Sequence, residues 1–381
     1  MRYQLALCGV LIIYFVTHNI LQALSFWIAV VPVIFAIIVP VATTIGITIL
    51  AKQGILVKSS PSLENLTKAN TFLFDKTGTI TQGKPEVAEI IELGRSTTDI
   101  LQLAASIETY SNHPLAIPIL EAAKDKKVKL LPLKNVKTFV GQGMTGSGHS
   151  FTVFLGNNAL LQRLTLHISK AVASTVAQWE QKGATPVFVG INAKLIGIIF
   201  LLDKLKPEAK PLFLQLSQRG YEAIIVTGDK REVAHTITKE LQGASFIADV
   251  TPEGKVDEVN KKLREGKNIV MIGDGINDAP ALAKAQVGIA MGGRGVDLTL
   301  NAADIVLLNN NIASIPTMVA VSKKTFRIIK QDVLLATSIH VIAAILVIIG
   351  SISLVETTII HEISSALVLV NTLRIFRVVS S

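Results

Sequence analysis

The chain has 381 residues, of which 50% belong to the AVILMFWYC class and only 17% are charged, with a formal net charge of +9. That is too apolar for an ordinary soluble enzyme, excludes an intrinsically disordered chain, and on length points to two or three domains. Cys8 is the single cysteine, so a disulfide framework and a Cys-cluster zinc site are both excluded.

The apolar residues crowd into the two ends. Residues 3–17 form an uncharged run, short of the roughly 20 residues that cross a bilayer but extendable. Arg2 also gives it the start of a signal peptide, but no small-residue cleavage site follows and a second run begins at once. That second run, residues 20–50, is uncharged and broken by Pro32 and Pro40. Residues 1–58 therefore read as two membrane helices.

Residues 59–320 alternate strand-like and helix-like patterns. Residues 71–74 (TFLF) stop at Asp75, residues 223–226 (AIIV) stop at Thr227-Gly228-Asp229, and residues 268–272 (NIVMI) stop at Gly273-Asp274-Gly275. Each is a buried-strand signature running into a polar loop. In an open parallel sheet, ligands bind beyond the carboxyl ends of the strands, so the three acidic loops are expected to converge. Between the first loop and the second lies a stretch of different character, 87–199. It holds Glu108, His113-Pro114 and the glycines Gly141 and Gly143, and reads as an inserted α+β domain.

Residues 333–355 and 357–373 read as two further membrane helices within 321–381, the last containing His361 and Glu362. Lys52 and Lys58 follow the second span, Lys323, Lys324, Arg327 and Lys330 precede the third, and Arg374 and Arg377 follow the fourth. All these basic flanks lie on the side of the soluble middle, which places that middle in the cytoplasm. No nucleic-acid partner is expected, because basic residues alternate with acids and no aromatic-basic stripe occurs.

The loop Asp75-Lys76-Thr77-Gly78-Thr79 carries the most chemistry. A carboxylate can attack a phosphoryl group and hold it as an acyl phosphate, provided the geometry is in line and the phosphate charge is neutralised. Asp75 and Asp274 are candidates for Mg2+, Lys255 for charge neutralisation, and Thr227 for a hydrogen bond to phosphate. Soluble phosphatases of this sheet type carry a second Asp two residues after the nucleophile. Here Thr77 stands there, so water lacks a nearby base and the acyl phosphate is expected to persist. A membrane-tethered phosphatase, the competing enzyme class, fits this less well.

DKTGT at 75–79, TGDK at 227–230 and GDGINDAP at 273–280, in this order, closely resemble the P-type ATPases. The resemblance implies Asp75 as phosphorylated nucleophile, assisted by Lys76, Thr77, Thr227, Gly228, Asp229, Lys255, Asn277 and Asp278. It implies Mg2+ at Asp75, Thr77 and Asp274. It also implies a HAD-like α/β phosphorylation domain with a parallel sheet, split as 59–86 and 200–320 around a nucleotide-binding domain at 87–199, with Asp203 and Pro207 on the returning strand. Ser111-Asn112-His113-Pro114 resembles the heavy-metal branch, which implies an ATP site at Glu108, His113, Pro114, Gly141 and Gly143. His361-Glu362 resembles the motif of the members linked to cobalt, iron or zinc, and Asn371 and Arg374 match residues downstream of that motif. Pro32, in Val-Pro-Val, stands where the branch usually has Cys-Pro-Cys, so a soft Cu(I) site lacks its thiols. Pro32, His361 and Glu362 are thus the candidates for holding a transported divalent cation. The actuator triplet Thr-Gly-Glu does not occur in the sequence. The resemblance therefore covers a pump's second half, and implies a fragment, a partner chain that supplies the actuator, or an autophosphorylating remnant that does not pump alone.

Overall fold

The computed structural model describes residues 2–31, 34–274, 278–292 and 301–378. Their strands, in chain order, are β1 (Ile55–Val57), β2 (Thr71–Asp75), β3 (Glu86–Glu92), β4 (Lys134–Phe139) and β5 (Gly143–Ser147). There follow β6 (Thr152–Gly156), β7 (Thr185–Ile191), β8 (Lys194–Leu202), β9 (Glu222–Val226) and β10 (Ala244–Ile247). The last three are β11 (Ile269–Gly273), β12 (Val287–Met291) and β13 (Ile305–Leu307).

Seven of these form one sheet in the order β1-β13-β12-β11-β2-β9-β10, parallel except for the edge pair of β1 with β13. The three apolar runs expected as strands are β11, β2 and β9, side by side at its centre. Every residue of β2 is buried, as a central strand covered on both faces requires. Its side chains alternate: Phe72 and Phe74 join the core with Phe213, while Leu73 packs on the opposite face with Val259. The other six strands, β3-β8-β7-β6-β5-β4, form an antiparallel sheet inserted between β2 and β9. Helix Thr97–Glu108 covers one of its faces through Ile100 and Ala104, and Leu160 and Val176 cover the other.

The stretches Ile20–Ala51, Ile312–Ile349 and Leu354–Arg377 are long and apolar enough to cross a membrane; Leu7–Thr17 is apolar but shorter. The helices Ile315–Ile349 and Leu354–Thr372 are apolar outside and polar inside, the reverse of a soluble bundle. Ile342, Ile349, Val355, Ile359, Ile363 and Val370 are half or more exposed, whereas Asp332, His340, Thr357, Ser364 and Thr372 are buried. Buried Asp332 accepts hydrogen bonds from Asn371 Nδ2 and Thr372 Oγ1, both at 2.7 Å, which ties the two helices together.

Two local expectations change. Pro40 does not break its run, because helix Ile34–Ala51 passes through it. Ile38 and Ala42 bury the segments on either side of the proline, and Thr43 Oγ1 donates to the carbonyls of Val39 and Pro40, so packing and a side chain support the missing N–H. The turn between the last two helices comes at residues 350–353 instead of 351–356. Gly350, at φ +76°, ends one helix, and Ser353 with Glu356 forms the capping box of the next. Helix Ile34–Ala51 crosses the long helix closely at Gly46, where a Cβ would lie 2.7 Å from Thr325 Oγ1.

Candidate functional site

The carboxyl ends of β2, β9 and β11 bring the three acidic loops together. Asp75 closes β2 and is 6% exposed; Asp274 follows β11; Asp278 opens the short helix Ala279–Lys284 and is 2% exposed. Carboxylate oxygens of all three lie within 4.8 Å of one another. Lys255, from helix Pro252–Arg264, bridges two of them, with Nζ 2.5 Å from Asp75 Oδ1 and 2.6 Å from Asp278 Oδ1. Three carboxylates facing one ammonium leave an excess of negative charge in an all-oxygen donor set. That set fits a hard dication such as Mg2+, held by Asp75 and Asp274 while Lys255 engages Asp278.

Electrostatics agree with this geometry. Burial, and then the charge of Asp278, raise Asp75 to a pKa of about 6 against the pull of Lys255. Burial first and Asp278 second also raise Asp274. Burial works against the Lys255 ammonium, but Asp75 and Asp278 outweigh it and hold its pKa above the usual lysine value. A proton on Asp75 competes with a cation for the same oxygens. Mg2+ affinity, followed by titration calorimetry on the whole chain, is therefore expected to fall as pH drops through about 6. An affinity unchanged across that range would take Asp75 out of the cation site.

The loop after Asp75 is shaped around these groups. Gly78 has φ +71°, and a Cβ on it would lie within 1.6 Å of Asp274 Oδ2. Its N–H donates to Thr81 Oγ1 at 3.0 Å, and its carbonyl accepts from Lys206 Nζ at 3.1 Å. Thr81 Oγ1 in turn donates to Asp203 Oδ2 at 2.6 Å. The stretch returning from the inserted sheet thus holds the nucleophile loop. Thr81 and Lys206 do not stand out in the sequence; the only signal for Lys206 is its place between Asp203 and Pro207.

Lys76 Nζ pairs with Asp229 at 2.6 Å, joining the first two loops. Buried Thr227 accepts the Asp229 N–H at 3.1 Å, which leaves its own hydroxyl hydrogen free for another acceptor. Gly228 passes close to the Val250 carbonyl, 3.2 Å from where a Cβ would sit. The Thr77 side chain is exposed at the mouth of the site. Asn277 and Pro32 lie outside the described residues.

The second cluster lies against the inserted sheet. Glu108, His113, Pro114, Gly141 and Gly143 line one cavity of about 700 Å3. Glu108 is 5% exposed with Oε2 unpartnered, and burial raises its pKa against hydrogen bonding by Ser111 and the nearness of His113. His113 is exposed, and its Nδ1 accepts the Leu115 N–H at 3.2 Å. Gly143 has φ +143°, and a Cβ there would lie 2.2 Å from the Leu155 carbonyl, so only glycine fits. The cavity is large enough for a nucleoside, with one orphaned carboxylate oxygen as a specific acceptor. In the membrane helices, His361 is half-buried and Glu362 is exposed.

Residues 69–286 match the model of the haloacid dehalogenase-like hydrolases, and residues 256–319 match a second model of the same description. The chain belongs to the haloacid dehalogenase-like hydrolase family. Its relatives include a probable copper-exporting P-type ATPase of Archaeoglobus fulgidus, 36% identical, the match covering 86% of this chain and 41% of that one. A zinc-exporting P-type ATPase of Mycobacterium marinum is 31% identical over 95% of this chain and 50% of its own length. Among solved structures, a zinc-transporting PIB-type ATPase in the E2.Pi state superposes with a TM-score of 0.86 at 31% identity, over 98% of this chain and 61% of that one. The chain thus spans about half the length of the curated relatives it matches. Within the family, it is the heavy-metal P-type ATPases that it resembles along nearly its whole length.

Proposed function

We propose that this chain carries the phosphorylation machinery and part of the membrane path of a P-type ATPase that exports a divalent transition metal. In this reading Asp75 attacks the γ-phosphoryl group of ATP, the bond to ADP breaks, and an aspartyl phosphate forms. The observation that carries it is the placing of Asp75. It ends the central strand with Oδ1 held by Lys255, which leaves Oδ2 for the attack. Mg2+, when bound, neutralises phosphate charge. Lys76, Thr227, Gly228 and Asp229 hold the transferred group, and Asn277 joins them by its motif. Lys255 neutralises charge on Asp75 and Asp278. Residues 59–86 and 200–320 act as the phosphorylation domain, 87–199 as the nucleotide-binding domain, and 1–58 and 321–381 as membrane helices, with the soluble parts cytoplasmic. A Thr-Gly-Glu loop, from this or another chain, completes the proposed cycle by releasing phosphate.

Mg-ATP is expected to label the protein through an acid-stable, hydroxylamine-sensitive bond. A protein that binds Mg-ATP and takes up no such label would overturn the reading. In the cavity, Glu108 and His113 meet the adenine while Pro114, Gly141 and Gly143 shape the space around it. His113→Ala is expected to weaken ATP binding about ten-fold, the scale of one lost polar contact. Calorimetry on the full chain in detergent reads this directly, and an unchanged dissociation constant would make His113 a turn residue only.

A further inference from the structure

Two histidines face one another inside the membrane-spanning part. His340 lies on helix Ile315–Ile349 and His361 on helix Leu354–Thr372, with ring centroids 5.3 Å apart and planes inclined by 36°. His340 is 4% exposed and its Nε2 has no hydrogen-bond partner. His361 Nδ1 is also buried without a partner. Ser364, one turn further along the face that carries His361, is fully buried, and its Oγ is unpartnered too. Other polar side chains of these two helices are satisfied: Asp332 by Asn371 and Thr372, and Thr357 by the Ser353 carbonyl. Buried polar atoms left without partners in hydrocarbon are costly, and three gathered in one place call for a ligand.

The spacing suits a metal ion. With a metal–nitrogen bond of about 2.1 Å and a tetrahedral angle, two imidazoles sharing one ion place their ring centres about 5 Å apart. At 1.5 Å rise per residue, His340 lies about 14 Å and His361 about 10 Å from the 350–353 turn, near the middle of a ~30 Å hydrocarbon core. Glu362 is the next residue after His361, but a helix sets neighbours about 100° apart, and its side chain is on the exposed side.

We propose that His340 and His361, with Ser364 at their edge, form a two-imidazole site for a divalent transition cation in mid-membrane, and that Glu362 is not among its ligands. The inference deepens the export reading and rests on it for the identity of the cargo. Imidazole suits Zn2+, Co2+ or Ni2+. Neutral ligands leave the charge of the ion uncompensated, so binding is weak and reversible, which fits cargo better than a structural ion.

Co2+ is the probe, added to the full chain in detergent with Mg2+ in excess to occupy the aspartate cluster. Imidazole-ligated Co2+ of low coordination number absorbs strongly in the visible, and an all-oxygen octahedral ion does so weakly. The wild type is expected to show the strong bands. His340→Leu and His361→Leu are expected to raise the dissociation constant at least ten-fold, and Glu362→Gln to leave it unchanged. ATP binding checks that each variant is folded, and His340→Asn is the fallback if the leucine variant is not. Unchanged bands in a folded His340 variant would overturn the site, as would loss of the bands in Glu362→Gln. So would absence of the bands from the wild type, the result expected if the two rings merely share a proton. The two readings fail separately. Label on Asp75 without the Co2+ bands removes the site alone, and the bands without label remove the pump reading alone.

Discussion

Asp75→Asn is expected to abolish ATP-derived label, lowering it at least a thousand-fold. The amide keeps the size of the carboxylate, and its oxygen still accepts from Lys255. It has lost the charge and the nucleophilicity that the transfer uses. Stability is expected to move the other way. Burial and the charge of Asp278 push the Asp75 pKa up to about 6, so at neutral pH the ionised side chain is an unfavourable presence in the fold. A group with a raised acid pKa costs stability as pH rises from its unfolded value through its folded one, and the neutral amide removes that cost. The variant should therefore melt no lower than wild type at pH 7, a thermal scan being the check. Undiminished label on a folded Asp75→Asn protein would move the nucleophile elsewhere.

Gly78→Ala is expected to slow Mg-dependent labelling at least a hundred-fold while leaving ATP affinity at the Glu108 cavity intact. The alanine methyl would fall 1.6 Å from Asp274 Oδ2 and 2.5 Å from its Cγ, so the carboxylate has to leave its place. The φ of +71° adds backbone strain that only glycine avoids. A displaced Asp274 no longer shares a cation with Asp75, so chemistry fails where binding does not. Single-turnover labelling set beside calorimetry separates the two. Labelling at the wild-type rate would show that Asp274 is not required where it stands.

The central strands are legible in the sequence because an apolar run that ends abruptly in Asp, Thr and Gly has few other uses. β2, β9 and β11 start or stop within a residue of where their composition changes. Their loops then have to meet, because parallel strands point their carboxyl ends to one edge. Contacts made across long chain separations are not legible. Nothing local in the sequence says that Lys206 Nζ reaches the Gly78 carbonyl and, at 3.2 Å, that of Asn310. His340 escapes notice for the same reason: a lone histidine in an apolar run reads as tolerated until a second helix sets His361 against it. Glu362 errs in the opposite direction, since adjacency to His361 in sequence argues for a shared task that the helical rotation takes apart. Pro40 reads as a break when local geometry is weighed without the packing on either side of it.

The crossing at Gly46 and Thr325 divides the long helix Ile315–Ile349 unequally. At 1.5 Å per residue, about 15 Å of it lies on the side of the parallel sheet and about 36 Å on the other. Ile315 and Met318 are fully buried in the core of that sheet, so this end moves with it. A stiff rod pinned at such a point is a lever with arms in a ratio of more than two to one. A sideways shift of 1 Å at Ile315 returns as roughly 1.5 Å at His340, in the opposite direction and with no bend in the helix. That distance is most of a metal–nitrogen bond length. Motion too small to rearrange the sheet can thus pull one imidazole off an ion that the other still holds.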